Sequence, residues 1–121
     1  MKEKKVIFIV DDNETNRVAA KQALENTYKT FAMPSAVKMF EMMGKITPDL
    51  ILLDIEMPGM DGYDTLRLLK LDDKQKDIPV IMLTAKNTRD SVVQGIDFGA
   101  INYIIKPFDP ALLVERVAQY V

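Results

Sequence analysis

Five side chains suited to one kind of chemistry stand directly after apolar runs. Asp11 and Asp12 follow Val6-Ile7-Phe8-Ile9-Val10, and Asp54 follows Leu50-Ile51-Leu52-Leu53. Thr84 follows Val80-Ile81-Met82-Leu83, and Lys106 follows Ile101-Asn102-Tyr103-Ile104-Ile105. Three carboxylates brought together repel, so at least one resists ionisation unless a counter-charge is supplied. Mg2+ fits that need, being a hard cation that takes oxygen ligands and keeps several waters. Lys106 adds a second positive charge and Thr84 a hydroxyl donor. Together these groups make a site for a phosphoryl group: cation and lysine neutralise its equatorial oxygens while a carboxylate attacks phosphorus.

Composition narrows the chemistry further. The chain has no histidine and no cysteine. That excludes Ser-His and Cys-His nucleophile pairs, imidazole acid/base catalysis, disulfides, and zinc or iron–sulfur centres. An aspartate is then the best available nucleophile. With 18 acidic and 16 basic side chains the net charge is −2, which argues against direct binding to nucleic acid or an anionic membrane. The apolar run near the start ends at Val10, too short for a signal or membrane span. A cytoplasmic protein is expected.

The elements that must position these residues follow from the same runs. At 121 residues, 48% hydrophobic and 28% charged, the chain has the size and balance of one globular domain. Runs that are apolar on consecutive residues suit strands covered on both faces. Tyr28 to Ala32, interrupted by Lys29 and Thr30, reads as an edge strand. Helical patterns occupy 15–26, 36–44 after Pro34-Ser35, 63–71, 88–98 and 110–120. Their expected inward residues include Ala20, Ala23 and Leu24; Ala36, Phe40 and Met43; Leu66 and Leu69; Val92, Val93 and Ile96; and Leu113, Val117 and Tyr120. Met39, Met42, Met43 and Met82 read as core filler. Strand and helix alternate five times, predicting an α/β fold with a five-stranded parallel sheet and helices on both faces. In such a sheet ligands bind outside the carboxyl ends of the strands. The polar residues above all fall there. Glu56-Met57-Pro58-Gly59-Met60-Asp61-Gly62 reads as a turn-rich loop opening the third helix.

On these residues the chain resembles the response-regulator receiver domain, the CheY-like family. The resemblance is carried by Val10-Asp11-Asp12, by Pro48-Asp49 through Asp54 with Met57-Pro58 and Asp61-Gly62, and by Leu83-Thr84-Ala85. Gly99-Ala100 and Tyr103 through Lys106-Pro107-Phe108 complete it, so it covers the whole chain. It implies a (βα)5 flavodoxin-like fold with strand order 2-1-3-4-5. It also implies that Asp54 accepts a phosphoryl group from the phosphohistidine of a sensor histidine kinase or phosphotransfer protein. Asp12, Asp54 and the backbone carbonyl of Glu56 would bind Mg2+ directly, and Asp11 through water. Lys106 and Thr84 would contact the phosphoryl oxygens, and the Lys106-Pro107 bond would be cis. Thr84 and Tyr103 would act as a switch. They would bias the face made by the fourth helix, fifth strand and fifth helix toward a downstream output domain or protein.

Further expectations attach to this resemblance. Residues 1–121 would form a single receiver, with no output domain in the chain and no turnover activity beyond its own phosphorylation and dephosphorylation. Glu56 and Lys86 flank the site entrance and would pair across it, lengthening the life of the acyl phosphate. The stretch Ile101-Asn102 lacks the acidic residue that many DNA-binding members use for a salt-bridged dimer face, leaving Arg116 without that partner. Three other readings stand beside it: a phosphatase working through an aspartyl phosphate, a flavin-binding module, and a receiver that has lost phosphorylation, against which the retention of every site residue type speaks. The first normally carries Asp-x-Asp-x-Thr after its first strand, which this chain lacks. In the second, Asp11-Asp12-Asn13-Glu14 would repel the flavin phosphate.

Overall fold

The structure, a computed structural model, describes residues 3–57, 59, 62–85 and 89–121. Strands β1 (Val6–Val10), β2 (Lys29–Met33), β3 (Leu50–Asp54), β4 (Val80–Thr84) and β5 (Asn102–Ile105) alternate with five helices. These are α1 (Glu14–Leu24), α2 (Ala36–Met43), α3 (Gly62–Leu71), α4 (Arg89–Asp97) and α5 (Pro110–Ala118). Side-chain caps set three of the helix starts. Asn13, Ser35 and Asp109 accept from the N–H groups of Asn16, Lys38 and Ala111, and Pro110 opens α5 where no N–H is needed.

All neighbouring strands are parallel, in the order β2-β1-β3-β4-β5. Every residue of β3 and β4 is buried, which is why those runs show no polar alternation. Side chains pointing to one face of the sheet, among them Phe8, Val10, Ile51, Leu53, Val80 and Met82, pack with Ala36 and Met39 of α2 and Leu66 and Leu69 of α3. On the other face Ile7, Ile9, Leu50, Leu52, Ile81 and Leu83 meet Ala20 and Leu24 of α1 and Leu113 and Val117 of α5. The sheet is therefore enclosed, and its strand ends form the remaining exit for polar groups.

Two helices depart from the sequence expectation. Val93 and Ile96 of α4, read as inward, are exposed. The helix seats Gly95 against the sheet instead, where a Cβ would overlap the Met82 side chain. Close approach of backbone to sheet replaces an apolar stripe here, and the two large residues turn outward. Tyr120 is also exposed, since α5 ends at Ala118. No helix among the described residues is long and apolar enough to cross a membrane.

Candidate functional site

The register of the central strands brings the acidic residues level. Val10 pairs with Leu53 across β1 and β3, so Asp11 and Asp54 leave the sheet side by side. The strand order reverses at this pair, the place where open α/β sheets bind ligands. Thr84 and Ile105 pair across β4 and β5, and Lys106 N–H donates to the Thr84 carbonyl at 2.8 Å. This places Lys106 on the same rim. The peptide bond that follows it, Lys106-Pro107, is cis.

Two of the acids are buried and one is not. Asp11 and Asp54 are fully buried, Thr84 is nearly so, and Asp12 is exposed. Carboxylate oxygens of Asp11, Asp12 and Asp54 lie within 4.8 Å of one another. Lys106 Nζ donates to Asp54 Oδ1 at 3.0 Å and stands 3.5 Å from Asp11 Oδ2, an ion pair without a formed hydrogen bond. Backbone donors hold the other contacts: Glu56 N–H on Asp54 Oδ1 at 3.0 Å, and Asn13 N–H on Asp11 Oδ1 at 2.9 Å. Oδ2 of Asp11 and Oδ2 of Asp54 accept no hydrogen bond although both are buried. Native interiors rarely leave such atoms unmet, and a cation is one partner that would satisfy both.

The electrostatics reflect this imbalance. Burial pushes the Asp54 carboxyl up to about 7, with Asp11 adding to the rise, against the Glu56 amide and Lys106. Burial works against the charge of Lys106, but Asp54 and Asp11 outweigh it and hold the ammonium above its ordinary value. One lysine does not neutralise two buried carboxylates, so the cluster has capacity for further positive charge.

The loops around the cluster are built from its neighbours. Gly62 lets α3 start against the end of β3, where a Cβ would overlap backbone of Asp54 and Ile55. Glu56 reaches across the mouth and accepts from the Ala85 N–H at 3.2 Å. Its expected partner Lys86 lies outside the described residues, as do Pro58, Met60 and Asp61. Tyr103 is half-buried against the α2–α3 side of the core and pairs with Met82, two residues before Thr84. Sequence reasoning missed Arg17, whose Nη1 donates to the Asp11 carbonyl at 2.8 Å and props the loop after β1. A basic residue one helical turn into α1 carries no signal of that contact.

Residues 7–118 match the family model described as the response regulator receiver domain. The chain belongs to the response-regulator receiver family. Receiver domains of this family serve two-component signalling, and the chain is of that kind. Its similar proteins include the phosphate regulon transcriptional regulatory protein PhoB of Pseudomonas aeruginosa, 42% identical over 93% of this chain and 50% of PhoB. Response regulator PleD of Caulobacter vibrioides is 37% identical over 92% of this chain and 25% of PleD. The chain thus spans a half or a quarter of the length of these relatives. Among solved structures, the signal receiver domain of a signal transduction histidine kinase from Syntrophus aciditrophicus is 34% identical. It superposes with a TM-score of 0.86, covering 96% of this chain and 89% of that one.

Proposed function

We propose that this receiver takes a phosphoryl group on Asp54 from the phosphohistidine of a partner kinase or phosphotransfer protein. The observation that carries the reading is the pair of buried, unmet oxygens, Asp11 Oδ2 and Asp54 Oδ2, beside Lys106. Residues 1–121 contain no histidine, so the donor histidine lies outside this domain. The Asp54 carboxylate attacks phosphorus, an O–P bond forms, and the P–N bond breaks with its electron pair staying on the leaving imidazole. Asp11, Asp12, Asp54 and the Glu56 carbonyl would hold Mg2+, which when bound supplies positive charge to the acids and the phosphoryl oxygens. Lys106, already 3.0 Å from Asp54, orients that carboxylate and neutralises charge as it develops. Thr84 donates its hydroxyl to a phosphoryl oxygen, and Tyr103 follows the change toward the α4-β5-α5 face. Glu56 and Lys86 screen the acyl phosphate from water at the mouth.

The domain spans the whole of residues 1–121, acts in the cytoplasm, and passes its state to an output domain or separate protein. PhoB is named as a transcriptional regulator, which makes a DNA-binding output one candidate; this chain itself carries no basic excess for direct contact with nucleic acid. Incubation with Mg2+ and acetyl phosphate, followed by intact mass, tests the reading. One added phosphoryl group is expected on the wild-type chain and none on Asp54→Asn. Steady hydrolysis of phosphomonoesters, or an equal gain on Asp54→Asn, would overturn it.

A further inference from the structure

As an edge strand, β5 has backbone donors and acceptors on its outer side with no strand to meet them. At Tyr103 both backbone groups are met by side chains of the same chain. The Tyr103 N–H donates to Asn102 Oδ1 at 2.8 Å, and the Tyr103 carbonyl accepts from Arg116 Nη1 at 2.7 Å. The same Nη1 donates to Asn102 Oδ1 at 2.9 Å, while Asn102 Nδ2 donates to Tyr120 Oη at 3.2 Å. Two donors converge on one end of the Asn102 amide, which requires its oxygen there and its nitrogen toward Tyr120.

These contacts join two layers of the molecule. The Tyr103 ring packs on the cluster that contains Met82 and the residues of α2 and α3. Arg116, in contrast, stands in the last turn of α5, whose Leu113 and Val117 are buried on the opposite face of the sheet. Tyr103 is therefore held by its ring in one layer and by its backbone from the other. A hydrogen bond from a guanidinium is charge-assisted and among the stronger ones. Any shift of the Tyr103 peptide must break that bond or carry Arg116 along.

We propose that Asn102 and Arg116 form a clamp that makes α5 follow Tyr103, with Arg116 as the positioning residue that conveys the state of the site to the outer helix. The inference rests on the switch reading of Tyr103 given above. It assigns Arg116 an internal task, distinct from any salt bridge to a second copy of the chain.

Amide hydrogen exchange on the full chain tests the clamp in two stages, with Arg116→Ala, Arg116→Lys and Asn102→Ala compared with wild type. Without phosphodonor, Asn102→Ala and Arg116→Ala should each speed exchange at the Tyr103 amide at least about fivefold, with β1 and β3 unchanged as the measure of an intact fold. Arg116→Lys, which retains a donor, should restore part of the protection. Unchanged exchange at Tyr103 would overturn the clamp whatever happens at Asp54. With Mg2+ and acetyl phosphate, intact mass first establishes the phosphoryl gain, which Arg116→Ala should match within about twofold. The wild type should then show altered exchange across residues 113–118 and a shifted Tyr103 ring resonance. In Arg116→Ala the ring should still respond while the response of residues 113–118 is lost. A full response of those residues in Arg116→Ala overturns the clamp. A phosphorylated wild type in which Tyr103 does not respond overturns the switch reading and the coupling with it. Absence of phosphoryl gain in wild type counts against the phosphoacceptor reading, which the first stage does not depend on.

Discussion

Two polar clusters sit within this small domain, and they differ in how completely their atoms are matched. At the ends of β1 and β3, two buried carboxylates share one lysine, and an oxygen of each accepts no hydrogen bond. Between β5 and α5, Asn102, Tyr103, Arg116 and Tyr120 join in a network where Asn102 uses both ends of its amide. A matched network stabilises the position it occupies. An unmatched one costs stability in the resting chain and gains it only when something else arrives. The difference separates a part that holds the fold from a part kept ready for chemistry.

Substitutions should break this contrast in a definite order. Lys106→Ala removes the positive side chain that, among the described residues, is bonded to Asp54, and phosphoryl gain from acetyl phosphate should slow by roughly a hundredfold, read by intact mass over time. Asp54→Asn should instead make the metal-free chain more stable, by about 1–3 kcal/mol in urea unfolding at pH 7.5, because it removes a buried, poorly matched charge. A destabilised Asp54→Asn chain would show that the cluster is matched after all.

Acidity and metal sharpen the same point. Asp54 titrates at about 7 in the folded chain against 3.8 ordinarily, with burial the main cause, so between those values the folded state holds a proton that the unfolded state has released. Stability without metal should therefore fall as pH rises through that window, and the slope should be smaller in Asp54→Asn. Mg2+ binding to the acids should oppose the loss. At tenfold its dissociation constant it should add about 1.4 kcal/mol at pH 7.5, visible as a concentration-dependent rise in the unfolding midpoint. The smallest effect belongs to the matched network. Asn102→Ala should cost about 1 kcal/mol with little change in phosphoryl gain, the reverse of the signature at Asp54.

Much of this arrangement was legible in the chain. Continuous apolar runs mark β1, β3 and β4 because both faces of those strands are covered, and the polar residue after each run marks where covering ends. Ser35 was readable as a helix start for the same local reason, a side-chain oxygen meeting an otherwise unpaired N–H. Which of the adjacent acids Asp11 and Asp12 would be buried was not legible: Asp11 is buried and Asp12 exposed. Their separation depends on the pleat of β1 and on what stands beside it. The orientation of α4 was illegible too, because Gly95 contributes close approach and no hydrophobic signal.

Residue types limit the kinds of chemistry open to this protein, and hydropathy runs set which elements form and where they end. Without histidine or cysteine, and with aspartates, threonine and lysine at successive strand ends, those residue types suit a phosphoryl site with a hard cation. Tertiary structure decided which of those groups meet. Parallel pairing in the order β2-β1-β3-β4-β5 sets Asp11 beside Asp54 and brings Lys106 across two strands to them. It also decided that Arg116 reaches Tyr103, a contact between residues 13 positions apart that no local pattern encodes. Distances and burial belong to the packed sheet, since both depend on neighbours that the chain supplies only once it has folded.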